Sequence, residues 1–291
     1  MNPFGPFLAL ALAPLFRPLV QWLALLFIAV LSQFVYADEP TGFAEPVDVT
    51  FTADVDGSEQ KYVLMLPWKF DADQSHDLMI AVHGHGSDRW QFAASDDGEM
   101  RACRDVAAAN QMIYVSPDYR AKTSWMSPKA EADVVQIIAD LKKQYKIDKV
   151  FITGASMGGS SCLTFTALHP DLIAGVASMN GTANHLEYRQ FQDAIQESFG
   201  GTKAKIPEEY KKRSAGYWPE KLTMPVGISV GGKDELVPPE SVRRLGAVLT
   251  ALDRPVLVID REEIGHYTEY KDAKRILEFV IEAANKHNID E

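Results

Sequence analysis

The chain has 291 residues, 46% of them hydrophobic, and is long enough to bury a sizeable core in one α/β domain. Acidic residues outnumber basic residues 40 to 29, which gives a formal net charge of −11. This negative charge argues against non-specific attraction to nucleic acid or to anionic lipid. We therefore expect a globular protein with no nucleic-acid partner.

The first 37 residues differ in composition from the rest of the chain. Their one charged residue, Arg17, is followed by an apolar stretch over residues 19–35 and by Ala37, which suits cleavage by signal peptidase. We expect residues 1–37 to be a signal peptide and residues 38–291 to be a secreted or periplasmic catalytic domain. The alternative is an uncleaved membrane anchor, because the apolar stretch lies at the short end of what spans a bilayer.

Strand and helix patterns alternate along the remaining chain. Residues 47–66 alternate apolar and polar around an Asp56-Gly57 turn, which predicts an edge hairpin. The later alternation predicts βαβ units in an α/β fold, a doubly wound and mostly parallel sheet with helices on both faces. The strand-like runs are 77–83, 112–116, 149–154, 173–179, 224–230 and 255–260, and the helix-like runs are 98–110, 129–146, 157–168, 239–252 and 270–286.

A polar insertion over residues 185–222 interrupts this alternation after the sixth predicted strand. It is rich in charged residues and includes the basic run from Lys211 to Arg213. One interpretation is a small lid or wall of the substrate site, since functional residues concentrate on such loops. The other is a solvated helical excursion without substrate contact.

Residues 154–158 read Gly-Ala-Ser-Met-Gly, directly after a strand-like run and before a helix-like one. A nucleophilic serine needs this spacing, because it occupies a tight, strained strand-to-helix turn in which flanking side chains would collide with neighbouring elements. The turn exposes the Ser156 hydroxyl and leaves the amide of Met157, at a helix N-terminus, free to bind a developing oxyanion. A purely structural glycine-rich turn is the alternative.

A serine hydroxyl is a poor nucleophile until a histidine accepts its proton, and that histidine needs a carboxylate partner. In doubly wound hydrolases the chain order is nucleophile, acid and histidine, on loops at the carboxyl edge of the sheet. Asp234 and His266 follow successive predicted strands in this order. Glu235 is a competing acid, but we expect it on the opposite side of the turn.

The sequence His83-Gly-His-Gly86 follows a predicted strand, where hydrolases build the other half of the oxyanion hole. We expect the backbone amide of His85 to contribute there. A His-x-His pair can also bind a metal, but no third ligand is evident nearby, so we expect neither a metal nor a cofactor.

Three residues after the strand-like run 112–116 are candidates for the substrate pocket: Tyr119, Arg120 and Trp125. Loops at the carboxyl edge of such a sheet line ligand pockets, and structural packing is the alternative role. The two cysteines, Cys103 and Cys162, lie in separate helix-like runs, so we expect two buried thiols rather than a bridge.

These motifs together resemble the α/β-hydrolase superfamily, from about Gln60 to Lys286, and specifically secreted esterases of the polyhydroxybutyrate depolymerase and feruloyl esterase type. The matching segments are 83–86, 154–159, 232–238 and 265–266. The resemblance implies an α/β-hydrolase fold with a catalytic triad and two oxyanion donors. The triad is Ser156, Asp234 and His266, and the donors are the amides of Met157 and His85.

We therefore expect a secreted serine esterase that cleaves small-molecule or polysaccharide-linked esters through an acyl-enzyme, with no cofactor and no membrane contact except an uncleaved N-terminal segment. Residues 199–214 also resemble the catalytic domain of prolyl-oligopeptidase-type serine peptidases. Those peptidases carry a large β-propeller, for which this length leaves no room, so peptidase activity is the alternative. A non-catalytic binding protein on the same fold is disfavoured, because all three triad positions are filled.

Overall fold

A computed structural model of the protein describes residues 42–287. The predicted signal peptide at residues 1–37 lies outside this range. Within the range, none of the helices combines the length and the apolar character needed to cross a membrane.

The strands of the described residues form one sheet with the order β1-β2-β4-β3-β5-β6-β7-β8. The pairs β1–β2 and β2–β4 are antiparallel, and the other neighbours are parallel. The predicted edge hairpin and mostly parallel sheet are therefore confirmed. The strands are β1 Val47–Thr52, β2 Glu59–Met65, β3 His76–Val82, β4 Ile113–Pro117, β5 Ile147–Ala155, β6 Gly175–Met179, β7 Val226–Gly231 and β8 Val256–Arg261.

Helices connect these strands and cover both faces of the sheet. All of the predicted helices form, with ends that differ by up to two residues. The short α1 and the helices α5 and α6 of the insertion were not among the predicted runs. The helices are α1 Trp90–Ala94, α2 Gly98–Ala109, α3 Pro128–Gln144, α4 Met157–Leu168, α5 Gln192–Phe199, α6 Pro207–Lys212, α7 Glu240–Ala251 and α8 Tyr270–His287.

The central strands are buried on both faces, as expected when helices cover both sides of a parallel sheet. In β3, Ile80 packs with the core under α3, α4 and α7, whereas Met79 packs with the core under α2 and α8. Successive residues alternate between the faces because the side-chain period of a strand is two. Cys162 lies in the first core and Cys103 in the second, both as free buried thiols, as predicted.

The helix α3 begins one residue earlier and ends two residues earlier than the predicted run 129–146. The Ser127 hydroxyl accepts a hydrogen bond from the Ala130 amide at 3.2 Å, and Pro128 occupies the first helical position. Val134, Ile138 and the other apolar residues of its inner face are buried against the sheet.

The insertion at residues 185–222 carries α5 and α6, and it is less solvated than its polar composition indicates. His185, Tyr210 and Arg213 have at most 1% of their surface exposed. Tyr210 and Phe199 belong to the core that includes α3 and α4. The insertion therefore packs as part of the domain.

Candidate active site

The three predicted triad residues lie at one edge of the sheet. Ser156 follows β5, whereas Asp234 and His266 lie in the loops after β7 and β8. The strands from β5 to β8 are neighbours and parallel, so their carboxyl ends meet at the same edge.

The backbone at Ser156 has the strained conformation of a nucleophile turn, with φ of 59° and ψ of −119°. Its hydroxyl does not cap α4. A Cβ at Gly158 would lie 2.1 Å from the Val82 carbonyl oxygen, and one at Gly154 would lie 2.6 Å from the same atom. Glycine at both flanking positions is therefore required by the close approach of β3.

Two amides near this turn are free to donate hydrogen bonds. Met157 is the first residue of α4, where a backbone N–H has no partner within the helix. The amide of His85 has no acceptor in the described part of the chain. A free amide at a helix N-terminus favours negative charge.

Asp234 and His266 form a short hydrogen bond, with 2.6 Å between Nδ1 of His266 and Oδ2 of Asp234. The other carboxylate oxygen of Asp234 accepts from the amides of Leu236 at 3.0 Å and Val237 at 2.8 Å. Asp234 is only 4% exposed, whereas Glu235 is exposed. The structure thus brings Asp234, and not the competing Glu235, to His266.

Two buried residues that sequence reasoning missed support the histidine loop. Asn180, after β6, donates through Nδ2 to the Thr268 hydroxyl at 3.0 Å and accepts from the Gly231 amide at 3.1 Å. The Thr268 and Ser229 hydroxyls lie 3.1 Å apart. This network links the ends of β6 and β7 to the loop that carries His266. The position of Asn180 directly after an apolar strand is the sequence signal that could have identified it.

A second carboxylate, Glu99, lies close to His266 and was also missed. Its Oε2 accepts from the Thr268 amide at 3.2 Å, two residues beyond His266. Burial raises the pKa of Glu99 above its usual value, and the Thr268 amide and the nearby His266 offset this shift only in part. Glu99 occupies the first turn of α2, where a sequence pattern alone suggests only a helix-start residue.

The three predicted pocket residues have structural contacts. Tyr119 is 2% exposed, and its hydroxyl donates to the His83 carbonyl at 2.6 Å. Arg120 forms ion pairs with Asp56 at 2.8 Å and with Asp133. Trp125 is 1% exposed. These contacts are all within the protein, so contact of Tyr119, Arg120 and Trp125 with a substrate stays a prediction.

The insertion contacts the loops on both sides of the site. The Phe191 ring lies 4.4 Å from the His85 ring between centroids, and Trp125 lies 5.7 Å from Phe191. On the other side, the Tyr188 hydroxyl donates to the Leu236 carbonyl at 2.8 Å. The insertion thus lies between the loop of His85 and the loop of Asp234.

Two large apolar residues beside the acid and the histidine are exposed. Leu236 is 49% exposed and Tyr267 is 47% exposed. Because each lies within two residues of Asp234 or His266, they offer apolar surface at the rim of the site.

The fold is an α/β-hydrolase fold. The model of the prolyl oligopeptidase family matches residues 106–287, which is more than half of the chain. The chain belongs to the prolyl oligopeptidase family.

A curated relative, the uncharacterized peptidase YtmA of Bacillus subtilis (strain 168), is 29% identical over 136 residues, covering 45% of this chain and 53% of that protein. The chain therefore matches about half the length of this relative. Puromycin hydrolase has a TM-score of 0.68 at 18% identity and covers 86% of this chain and 40% of its own. FphF, a fluorophosphonate-binding serine hydrolase of Staphylococcus aureus, has a TM-score of 0.65 at 16% identity. The match covers 82% of this chain and 99% of the FphF chain. These two structures share the fold.

Proposed function

We propose that this protein is a secreted carboxylic-ester hydrolase that acts through an acyl-enzyme. Ser156 is the nucleophile, His266 the base and then the acid, and Asp234 the group that orients His266. The amides of Met157 and His85 stabilise the oxyanion. The observation that carries the proposal is the hydrogen bond of 2.6 Å between the buried Asp234 carboxylate and His266, at the same sheet edge as the strained turn of Ser156.

In the first half-reaction, the Ser156 oxygen attacks the ester carbonyl while Nε2 of His266 takes the hydroxyl proton. The carbonyl oxygen becomes an oxyanion, and collapse of the tetrahedral intermediate expels the alcohol, which takes the proton from His266. In the second half-reaction, water attacks the acyl carbonyl and gives a proton to His266. The bond to the Ser156 oxygen then breaks, this oxygen takes the proton back from His266, and the acid is released. Asp234 holds the proton of His266 on Nδ1, so Nε2 stays free to accept.

The first test is hydrolysis of para-nitrophenyl esters of increasing acyl length, with feruloyl and acetyl-sugar esters in the same panel. We expect turnover by the wild type and its loss in Ser156→Ala. Ser116→Ala is the matched control, because it removes a buried hydroxyl in β4 that has no hydrogen-bond partner. Near wild-type turnover in Ser156→Ala would overturn the assignment of the nucleophile.

Labelling by a fluorophosphonate distinguishes an enzyme from a binding protein on the same fold, because the probe reacts only with an activated serine. Labelling of the wild type, with none in Ser156→Ala, supports the enzyme. An unlabelled wild-type protein supports the binding protein.

Export is the second part of the proposal, and it is supported by the composition of residues 1–37. The mature protein recovered from the medium or the periplasm is expected to begin at Asp38. A protein that keeps residue 1 and stays with the membrane fraction would instead indicate an anchor.

A second candidate function is peptide-bond hydrolysis, favoured by membership of the prolyl oligopeptidase family. The same serine, histidine and oxyanion donors cleave amides when the site protonates the leaving amine. A prolyl-peptide amide measured beside the ester panel separates the two. Cleavage of the amide without turnover of any ester would establish the peptidase.

A further inference from the structure

Several polar backbone atoms of the oxyanion loop, residues 83–86, have hydrogen-bond partners. The Gly84 amide donates to Oε1 of Gln91 at 2.7 Å, and the Gly86 amide donates to the Lys122 carbonyl at 2.8 Å. Between them, the amide of His85 has no acceptor in residues 42–287. Of the three amides from Gly84 to Gly86, only the one assigned to the oxyanion is left free.

The side chain of His83 holds the peptide unit to which this free amide belongs. Nδ1 of His83 lies 2.8 Å from the Gly84 carbonyl oxygen, and Nε2 lies 3.1 Å from the Asp118 carbonyl oxygen. The ring itself is completely buried. In a planar trans peptide the carbonyl and the amide point in opposite directions, so a bond to the Gly84 carbonyl also fixes the direction of the His85 amide.

Both neighbours of the His83 ring are acceptors, so its protons decide which contact is a hydrogen bond. Burial lowers the pKa of His83, although the two carbonyls oppose this shift, and the ring therefore carries one proton near pH 7. We assign that proton to Nδ1, because the contact with the Gly84 carbonyl is the shorter of the two.

We propose that His83 is a positioning residue for the oxyanion site, and that its Nδ1–H holds the Gly84–His85 peptide so that the His85 amide faces the substrate carbonyl. This role rests on the proposed function of the site. The loop is close enough to act there, since a Cβ at Gly84 would lie 3.6 Å from the carbonyl oxygen of Ala155, the residue before Ser156.

The second attachment of the ring anchors it to a rigid part of the fold. The Asp118 amide donates to the Lys61 carbonyl at 2.9 Å, and the Asp118 carboxylate accepts from Nη1 of Arg89 at 3.0 Å. Without the ring, the Gly84 carbonyl keeps one weaker contact, the Ser87 amide at 3.3 Å.

Two substitutions at position 83 separate the two ring nitrogens. Asparagine can place its amide nitrogen near Nδ1 and so donate to Gly84, whereas glutamine reaches the position of Nε2 and so donates to Asp118. With a para-nitrophenyl ester, we expect His83→Gln to lose kcat by about 10²- to 10³-fold at an unchanged KM, the loss for one oxyanion donor. We expect His83→Asn to stay within about tenfold of the wild type.

The matched control lies at the other end of β3. His76 is also buried between two carbonyls, with Nδ1 2.8 Å from Gln111 O and Nε2 3.0 Å from Asp71 O, but it begins the strand whose other end leads to His83. We expect His76→Asn and His76→Gln to leave kcat unchanged. Equal kcat losses in both His83 variants and both His76 variants would overturn the positioning role.

An active wild type with wild-type kcat in His83→Gln would overturn the positioning role alone, whereas a wild type that turns over no ester would overturn the proposed function. If the variants do not fold, the role of His83 can be tested on the wild-type protein. In ¹⁵N-histidine NMR spectra of the wild type, we expect the proton of His83 on Nδ1. A His83 ring protonated only on Nε2 would overturn the role, because Nδ1 could not then donate to Gly84.

Discussion

The edge of the sheet that carries Ser156 and the polar cluster beneath the insertion differ in how their polar groups are paired. At the sheet edge, the amides of His85 and Met157 lack acceptors within residues 42–287, and the Ser156 backbone is strained. The other region, which we call the Arg213 cluster, consists of Arg213, Glu131, Glu209 and His169.

In the Arg213 cluster, charged groups are matched to partners. Arg213 is 1% exposed and donates to Glu131 at 2.8 Å, to Glu209 at 2.6 Å and to the Met126 carbonyl at 2.7 Å. Nε2 of His169 lies 2.9 Å from Glu131. The cluster thereby joins α6 of the insertion to the start of α3.

This contrast separates polar groups that serve chemistry from those that serve structure. Unpaired amide donors and strained backbone lower the stability of the protein, and they persist at sites where a bound substrate supplies the missing hydrogen bonds. A buried charge that has no such role needs permanent partners within the protein. We therefore expect substitutions at the sheet edge to lower kcat with little effect on the unfolding free energy. Substitutions in the Arg213 cluster should lower the unfolding free energy with little effect on kcat.

The largest expected effect is that of Asp234→Asn. Oδ1 can keep the bonds from Leu236 and Val237, so the new amide nitrogen faces His266 and favours the tautomer protonated on Nε2. Ester kcat is expected to fall by about 10⁴-fold. The thermal unfolding midpoint should change little. Glu235→Gln is the control, and a kcat loss in that variant but not in Asp234→Asn would move the acid to Glu235.

Arg213→Met should produce the largest loss of stability. It leaves the carboxylates of Glu131 and Glu209 without their main cation, and breaking such a pair costs about 3–5 kcal/mol of unfolding free energy. Urea unfolding measures the loss, while kcat should stay within a few-fold. Lys212→Met, at the exposed neighbouring position, is the control. An Arg213→Met variant with wild-type stability and a strongly reduced kcat would contradict the structural role of the Arg213 cluster.

Acid should weaken the Arg213 cluster through Glu131. Burial would raise the pKa of Glu131, but His169 and Arg213 outweigh it and lower the pKa from 4.5 to about 2. A lowered folded-state pKa stabilises the protein above the unfolded-state pKa, and this stability is lost as the pH falls.

The unfolding free energy contributed by Glu131 should therefore decline between about pH 4.5 and pH 2, by on the order of 3 kcal/mol. Unfolding measured at several pH values in the wild type and in Glu131→Gln checks this. The same acid dependence in both proteins would show that Glu131 is not the group responsible.

The smallest expected effect is that of Ser127→Ala at the start of α3, next to Met126 of the Arg213 contacts. Loss of the hydrogen bond from the Ala130 amide should cost about 1 kcal/mol of unfolding free energy. Ser127→Asp, which can also cap the helix, should recover most of it. Equal stability of the alanine and aspartate variants would argue that the cap contributes nothing.

Local patterns predicted the parts of the site that depend on neighbouring residues. The glycines at 154 and 158 indicated the turn at Ser156, and the close approach of Val82 supplies the reason. The order of Ser156, Asp234 and His266 followed from the alternation of strands and helices. Asn180 and Glu99 were missed, because their partners lie far away in the chain.

Of the two interpretations of the insertion, the solvated excursion is wrong for its buried part. Arg213 is buried and paired with Glu209 and with Glu131, the latter 82 residues away. A sequence shows that a residue is charged, but burial depends on whether a partner reaches it in space.

The sequence by itself determined the strand and helix alternation and the nucleophile turn, because these depend on side-chain periodicity and on steric limits within a few residues. Its motifs also indicated the α/β-hydrolase superfamily, whereas the resemblance to depolymerases and feruloyl esterases stays a prediction. Only the tertiary structure decided which carboxylate reaches His266, which amides stay unpaired, and that His83 bonds to carbonyls of two separate loops. Those features depend on distances between segments that are remote in the chain, and hydrogen bonds require contact within about 3 Å.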